Sequence, residues 1–117
     1  MKRLACLLTI CFLLVSVNCW AELTHKELQH AYEMTDSGKS QAINNYLIGL
    51  YEGISASNLA YYMQTKQFLY CKPANIDLNV NNIRAIIDET HKAHDTEGTI
   101  PASYLLFVGL KQTFPCL

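Results

Sequence analysis

The sequence predicts a small all-α domain of four or five short helices, closed by one disulfide and preceded by a signal peptide. Three observations carry that expectation. Apolar residues recur at three- and four-residue intervals, no alternating run is long enough for a strand, and only two cysteines lie beyond the leader. The chain has 117 residues, room for a single domain, so one small core must support whatever the protein does.

The leader comes first. Lys2 and Arg3 open the chain, Leu4 to Val17 form an apolar run, and Cys19-Trp20-Ala21 places small residues where a signal peptidase reads them. Residues 1–21 are therefore expected to be a signal peptide cut after Ala21, and 22–117 the mature domain. Cys19 raises a lipoprotein alternative, but Ser16-Val17-Asn18 before it lacks the usual Leu and small residue. The run is shorter than the roughly 20 apolar residues a bilayer span needs, and no later stretch reaches that length uncharged, so no membrane span is expected.

From Glu22 onward carboxylates outnumber basic side chains. A nucleic-acid binder needs a basic stripe to neutralise phosphates, and none is present, so nucleic acid is excluded as a partner.

Each helix has a local reason. In "LTHKEL" Thr24 precedes Glu27 by three, the reciprocal capping pattern, which predicts a helix from His25 to Met34 ended by "TDSGKS". Ile43, Tyr46, Leu47, Leu50 and Ile54 share one helical face, predicting a second helix from about Ser40 to Gln67. Pro73 in "CKP" interrupts. Asp77 or Asn79 can cap a third helix with Val80, Ile83, Ile86 and Ile87 on its apolar face, fading by His94. After "DTEGTIP", Thr99 can cap a fourth helix from about Ile100, with Pro101 in its first turn. Tyr104, Leu105, Val108 and Phe114 are its expected buried side, and Pro115 its stop.

Removing the leader discards Cys6, Cys11 and Cys19 and leaves Cys71 and Cys116, which pair in an oxidising compartment. Their bond closes a loop of about 45 residues and, through loop-closure entropy, stabilises the fold by about 4 kcal/mol. It is expected to tie the end of the fourth helix to the start of the third, making an antiparallel pair with "HDTEGTI" projecting beyond it. That tip, His94, Asp95, Thr96, Glu97, Gly98 and Thr99, is the expected partner contact.

Other residues invite chemical readings. Cys71 with His91 or His94 would make a thiol hydrolase, a reading opposed by the second cysteine available to oxidise it. His91 and His94 lie three apart, but Asp95 points about 100° round from His94, so no metal site is expected. Gly49 and Gly53 stand in the middle of a helix at a cost of nearly 1 kcal/mol each, which a local break explains, or close approach of another helix, within the molecule or across a subunit contact beside Tyr46. Seven tyrosines suit a protein-binding surface. Asp88, Glu89, Asp95 and Glu97 against Lys92 make a solvated helix end or a surface that steers a basic partner.

In order, "YLIGLYEG", "YCKP", the capped "NNIRAIIDETHKAHD" and "PASYLLFVGLKQTFPC" resemble the Rap/Tai-type immunity proteins of type VI secretion, from about Ile43 to Cys116. The firmest pieces are Tyr46, Gly49 and Gly53 in "YxxGxxxG", Cys71 to Pro73, and Phe114-Pro115-Cys116. The resemblance implies a helical periplasmic protein, often dimeric, that binds a peptidoglycan amidase effector and occludes its Cys-His site. It also implies Cys71–Cys116 as the structural disulfide. Relatives often carry a further cysteine where this chain has Asn44 and Asn45, so no second bridge is expected. The resulting expectation is a periplasmic, non-enzymatic immunity protein with no cofactor, whose partners are an amidase effector and a second copy in a homodimer. A periplasmic stress or acid chaperone-like binding protein is the alternative.

Overall fold

The structure, a computed structural model, describes residues 22–34, 37–94 and 97–117, the side chains of 37–39 set aside. The expected signal peptide lies outside the described residues, as do Asp95 and Thr96. Among the described residues the protein is a small all-α bundle: α1 (His25–Glu33), α2 (Ser37–Thr65), α3 (Val80–His94) and α4 (Ala102–Thr113).

The first three helices begin and run for local reasons. At the start of α1, Glu27 N–H donates to Thr24 Oγ1 at 3.3 Å and Thr24 N–H donates to Glu27 Oε2 at 2.9 Å, the expected capping box. The Thr24 N–H and then the Thr24 hydroxyl, which donates to the same Oε2 at 2.9 Å, hold the Glu27 carboxyl below its usual range. In α2, Ile43 and Leu47 are buried and Leu50 and Ile54 half-buried, as their spacing requires. At the start of α3 the choice between Asp77 and Asn79 falls to Asn79. Its Oδ1 accepts from Asn82 N–H at 3.0 Å, while Asn82 Oδ1 accepts from Asn79 N–H at 3.1 Å.

The fourth helix departs from expectation. It starts at Ala102, and no side chain caps it, so Thr99 is not its N-cap. Instead Ala102 N–H donates to Leu23 O at 2.8 Å, and Thr24 bridges Pro101 across an isolated antiparallel pair. A segment far away in sequence satisfies the orphan donor that a local hydroxyl was expected to take. Tyr104, expected in the core, is 57% exposed. The inward positions are Ala102, Leu105, Leu106, Gly109 and Leu110, and Tyr104 falls outside that stripe.

Leu28, Ile43, Leu47, Ile83, Ile87, Leu105, Leu106 and Leu110 meet in one core, to which Tyr70 contributes from the loop after α2. Each such aliphatic side chain contributes about 1.5–3 kcal/mol by leaving water. α3 and α4 meet at Gly109. A Cβ there would overlap Ile86 Cγ2 and Thr90 Oγ1 and lie 3.2 Å from the Ile86 carbonyl. The close helix approach expected of Gly49 and Gly53 is thus made by a different glycine.

Cys71 and Cys116 form the expected disulfide, with Cα atoms 5.0 Å apart. Its anchorage differs from the expectation. Cys71 N–H donates to Phe114 O at 2.8 Å, and the adjoining Tyr70 is held by α2: Asn58 Nδ2 donates to Tyr70 O at 2.9 Å, and Ser55 Oγ lies 3.1 Å from the Tyr70 hydroxyl. The cross-link therefore joins the end of α4 to the chain leaving α2, rather than to the start of α3.

Candidate functional site

The described part of the segment read as the partner contact is bonded to α1 at Gly98 and keeps three exposed side chains. His94 is exposed, with Nε2 3.0 Å from Gln112 Nε2 on α4. Glu97 and Thr99 are exposed, whereas Gly98 is buried with a φ of +72°, its Cα where a side chain would press on Lys26 Cβ. Lys26 N–H donates to Gly98 O at 3.2 Å and His25 N–H to Ile100 O at 3.3 Å. Residues 98–102 lie along the start of α1, so the described part of the segment does not stand free as a tip.

On α2, Tyr46 is half-buried against the core, and burial, reinforced by Glu22, pushes its hydroxyl above the usual phenol range. Gly49 and Gly53 are exposed, and a Cβ at either would meet nothing within 4 Å. No described part of the chain packs on them, which leaves an open helix face among the described residues.

The histidines are brought together in a way their spacing does not announce. His91 does not join His94. Its ring stacks on His25 at 3.6 Å between centroids and 10° between planes. His25, 5% exposed, places Nε2 2.9 Å from Asp88 Oδ1. The second Asp88 oxygen lies 3.9 Å from Arg84 Nε, and the Arg84 guanidinium sits 3.6 Å from the centre of the Tyr32 ring. Burial raises the Tyr32 hydroxyl above its usual range, the Arg84 charge opposing and Asp88 adding to the shift. These groups line a cleft of about 330 Å³ between α1 and α3. No group of three or more His, Cys, Asp or Glu able to hold a metal ion is found among the described residues. Asp88 faces His25 and Arg84, and Glu89 Oε1 accepts from Lys92 Nζ at 2.7 Å, so half of the acidic run is engaged within the molecule. The Cys71 sulfur is bonded to Cys116 and offers no thiol nucleophile in this state.

The surface that sequence reasoning missed is the far end of α2. Asn58 is its last buried residue. Beyond it Leu59 (56%), Tyr61 (38%), Met63 (63%) and Phe68 (43%) are all exposed. The projection is firmly mounted. Asn58 Oδ1 accepts from Leu69 N–H at 2.7 Å and from Tyr70 N–H at 3.4 Å, so one buried amide fixes the return of the chain. Tyr62 stacks on Phe68 at 4.2 Å and 5°, and Lys66 Nζ lies 5.7 Å from the Tyr62 ring centre. A shallow groove of about 360 Å³ runs beside it between Leu59, Phe68, Tyr70 and Lys72. One signal was available: Leu59 and Met63, four apart, lie off the stripe that runs from Ile43 through Ile54 to Asn58.

Compared with known proteins, the chain matches no family model, no curated protein and no solved structure.

Proposed function

We propose that the chain is an exported, non-catalytic inhibitor: a periplasmic immunity protein that binds a type VI secreted peptidoglycan amidase and occludes its active site. The order of motifs from Tyr46 to Cys116 suggests this role. The observation that carries it is the exposed end of α2, four large apolar side chains held in water on a mount braced by Asn58 and the disulfide. Leu59 and Met63 share one helix face and Leu59 and Phe68 line one groove, and exposed apolar side chains on a rigid element fit a protein contact, because their burial on association needs little further ordering.

The test is to mix the purified mature chain with purified Cys-His peptidoglycan amidases, starting with any encoded beside it, and to follow peptidoglycan cleavage. Stoichiometric loss of cleavage, with the chain recovered intact, is the expected result. Full amidase activity throughout, together with suppression of aggregation of an unrelated acid-denatured protein, favours the chaperone-like role instead.

A further inference from the structure

We infer that the end of α2 is the element this inhibitor inserts, with Lys66 at its apex, and that it fits an apolar recess rimmed by carboxylates in the partner protein. The inference rests on the proposed inhibitory function and adds the chemistry of the contact.

The backbone is the first ground. Lys66 ends α2 with φ at 61°, in the left-handed region. Helices commonly end on such a residue, but it is usually glycine, which reaches that conformation without the steric cost a lysine bears. Strained residues of this kind persist where the surroundings hold them and gather at ligand contacts. Here the hold is visible: Thr65 Oγ1 donates to Tyr61 O at 2.8 Å and accepts from Gln67 N–H at 3.2 Å.

The side chains are the second. The left-handed turn brings the Lys66 ammonium over Tyr62, which itself lies on Phe68, so a cation tops a two-ring stack. Leu59 and Met63 are exposed on the neighbouring helix face, and methionine adapts readily to an irregular apolar wall.

Charge is the third ground and states the partner's chemistry. Between Glu52 and Asp77 the sequence has no carboxylate side chain, only Lys66 and Lys72, while all ten Asp and Glu residues stand at Glu52 or before it and at Asp77 or after it. An acid-rimmed recess is attracted by this end and repelled by the remaining acidic surface, which orients the encounter. A symmetric contact with a second copy through the same end would set one Lys66 against another, so the apex suits a different protein better than its own twin.

The experiment uses the mature chain and an amidase that the wild type inhibits. Lys66→Gly should raise the melting temperature, because the strain is relieved, and yet weaken binding about tenfold, the ordinary scale of a contact residue near an interface centre. Met63→Asp should weaken binding further with the helical circular dichroism unchanged, whereas His94→Ala and Thr99→Ala should bind as wild type. Raising ionic strength should weaken the wild-type complex more than the Lys66→Gly complex. If Lys66→Gly and Met63→Asp inhibit like wild type, this inference is overturned while the inhibitory function stands. If the wild type inhibits no amidase, the function falls and the inference with it. Self-association in light scattering, or binding to phosphatidylglycerol vesicles, that Met63→Asp abolishes would assign the surface to a second copy or to a membrane and likewise overturn the inference.

Discussion

Two segments of this molecule lead the chain back toward the core and behave in opposite ways. Residues 97–102, with Gly98 and Pro101, lead into α4, while residues 59–70 are the last turns of α2 and the chain that leaves it. The first is stitched to the start of α1 by main-chain bonds from Lys26, His25 and Ala102, and buries its glycine. The second gives its main chain to Asn58 and leaves Leu59, Tyr61, Met63 and Phe68 in water. A turn whose backbone is bonded to another segment is fixed against it, even where Glu97 and Thr99 stay exposed. One held from beneath by a single buried amide can display its side chains. The lesson is that a disulfide near a loop does not say which loop it presents; the hydrogen bonds around it do.

The largest expected effect tests the mount of the second turn. Replacing Cys71 and Cys116 by serine should cost about 4 kcal/mol in urea unfolding, since a long loop is no longer closed in the unfolded chain. Amide exchange sharpens the contrast: the Cys71 N–H, bonded to Phe114 O, should lose protection before the Ala102 N–H, bonded to Leu23 O. Simultaneous loss at both would mean that the two turns are one cooperative unit and would break the comparison.

Next come the glycines, where one substitution should have opposite signs. Gly109→Ala forces a methyl onto Ile86 and Thr90 and should cost about 1–3 kcal/mol. Gly49→Ala or Gly53→Ala, in open space on a helix interior, should gain about 0.5–1 kcal/mol. A loss at those two positions in thermal unfolding would show that the open face of α2 is covered in solution.

Gly98→Ala addresses the first turn directly. Its left-handed φ and the nearness of Lys26 should make the change cost about 1–2 kcal/mol, where a free loop would tolerate it. A neutral result would return residues 97–99 to the list of displayed surfaces.

The smallest effect concerns the cap that starts α1 beside that turn. Thr24→Ala should cost about 1 kcal/mol at neutral pH. Because the Glu27 pKa is lowered in the fold, the carboxylate's share is present above the ordinary carboxylate range and is lost as pH falls through the lowered value. Thermal unfolding from neutral to acid pH should therefore fall more gently in Thr24→Ala than in the wild type.

Much of the fold was legible because it depends on neighbours in sequence. The Thr24 and Glu27 pair, the Ile43 to Ile54 stripe and the two surviving cysteines all act over short or forced relationships, and each is found as read. The start of α4 was not legible. Thr99 is a competent cap by composition, but Leu23 O reached Ala102 first, a bond across most of the domain. The candidate site was the least legible part. Leu59 and Met63 read as spare apolar residues in a helix, and only their exposure among the described residues makes them a surface. His25 and His91, which no local spacing connects, are stacked because α1 and α3 pack side by side.

By itself, then, the amino-acid order determined that this protein is helical, where α1 and α3 begin, and which sulfurs bond. Those outcomes follow from capping chemistry, from apolar spacing, and from there being one possible pair beyond the expected leader. Only the tertiary structure decided which glycine admits a neighbouring helix, which turn is fastened and which is displayed. These are properties of who stands opposite whom, and a residue's opposite number is set by how whole helices pack, which no local stretch encodes.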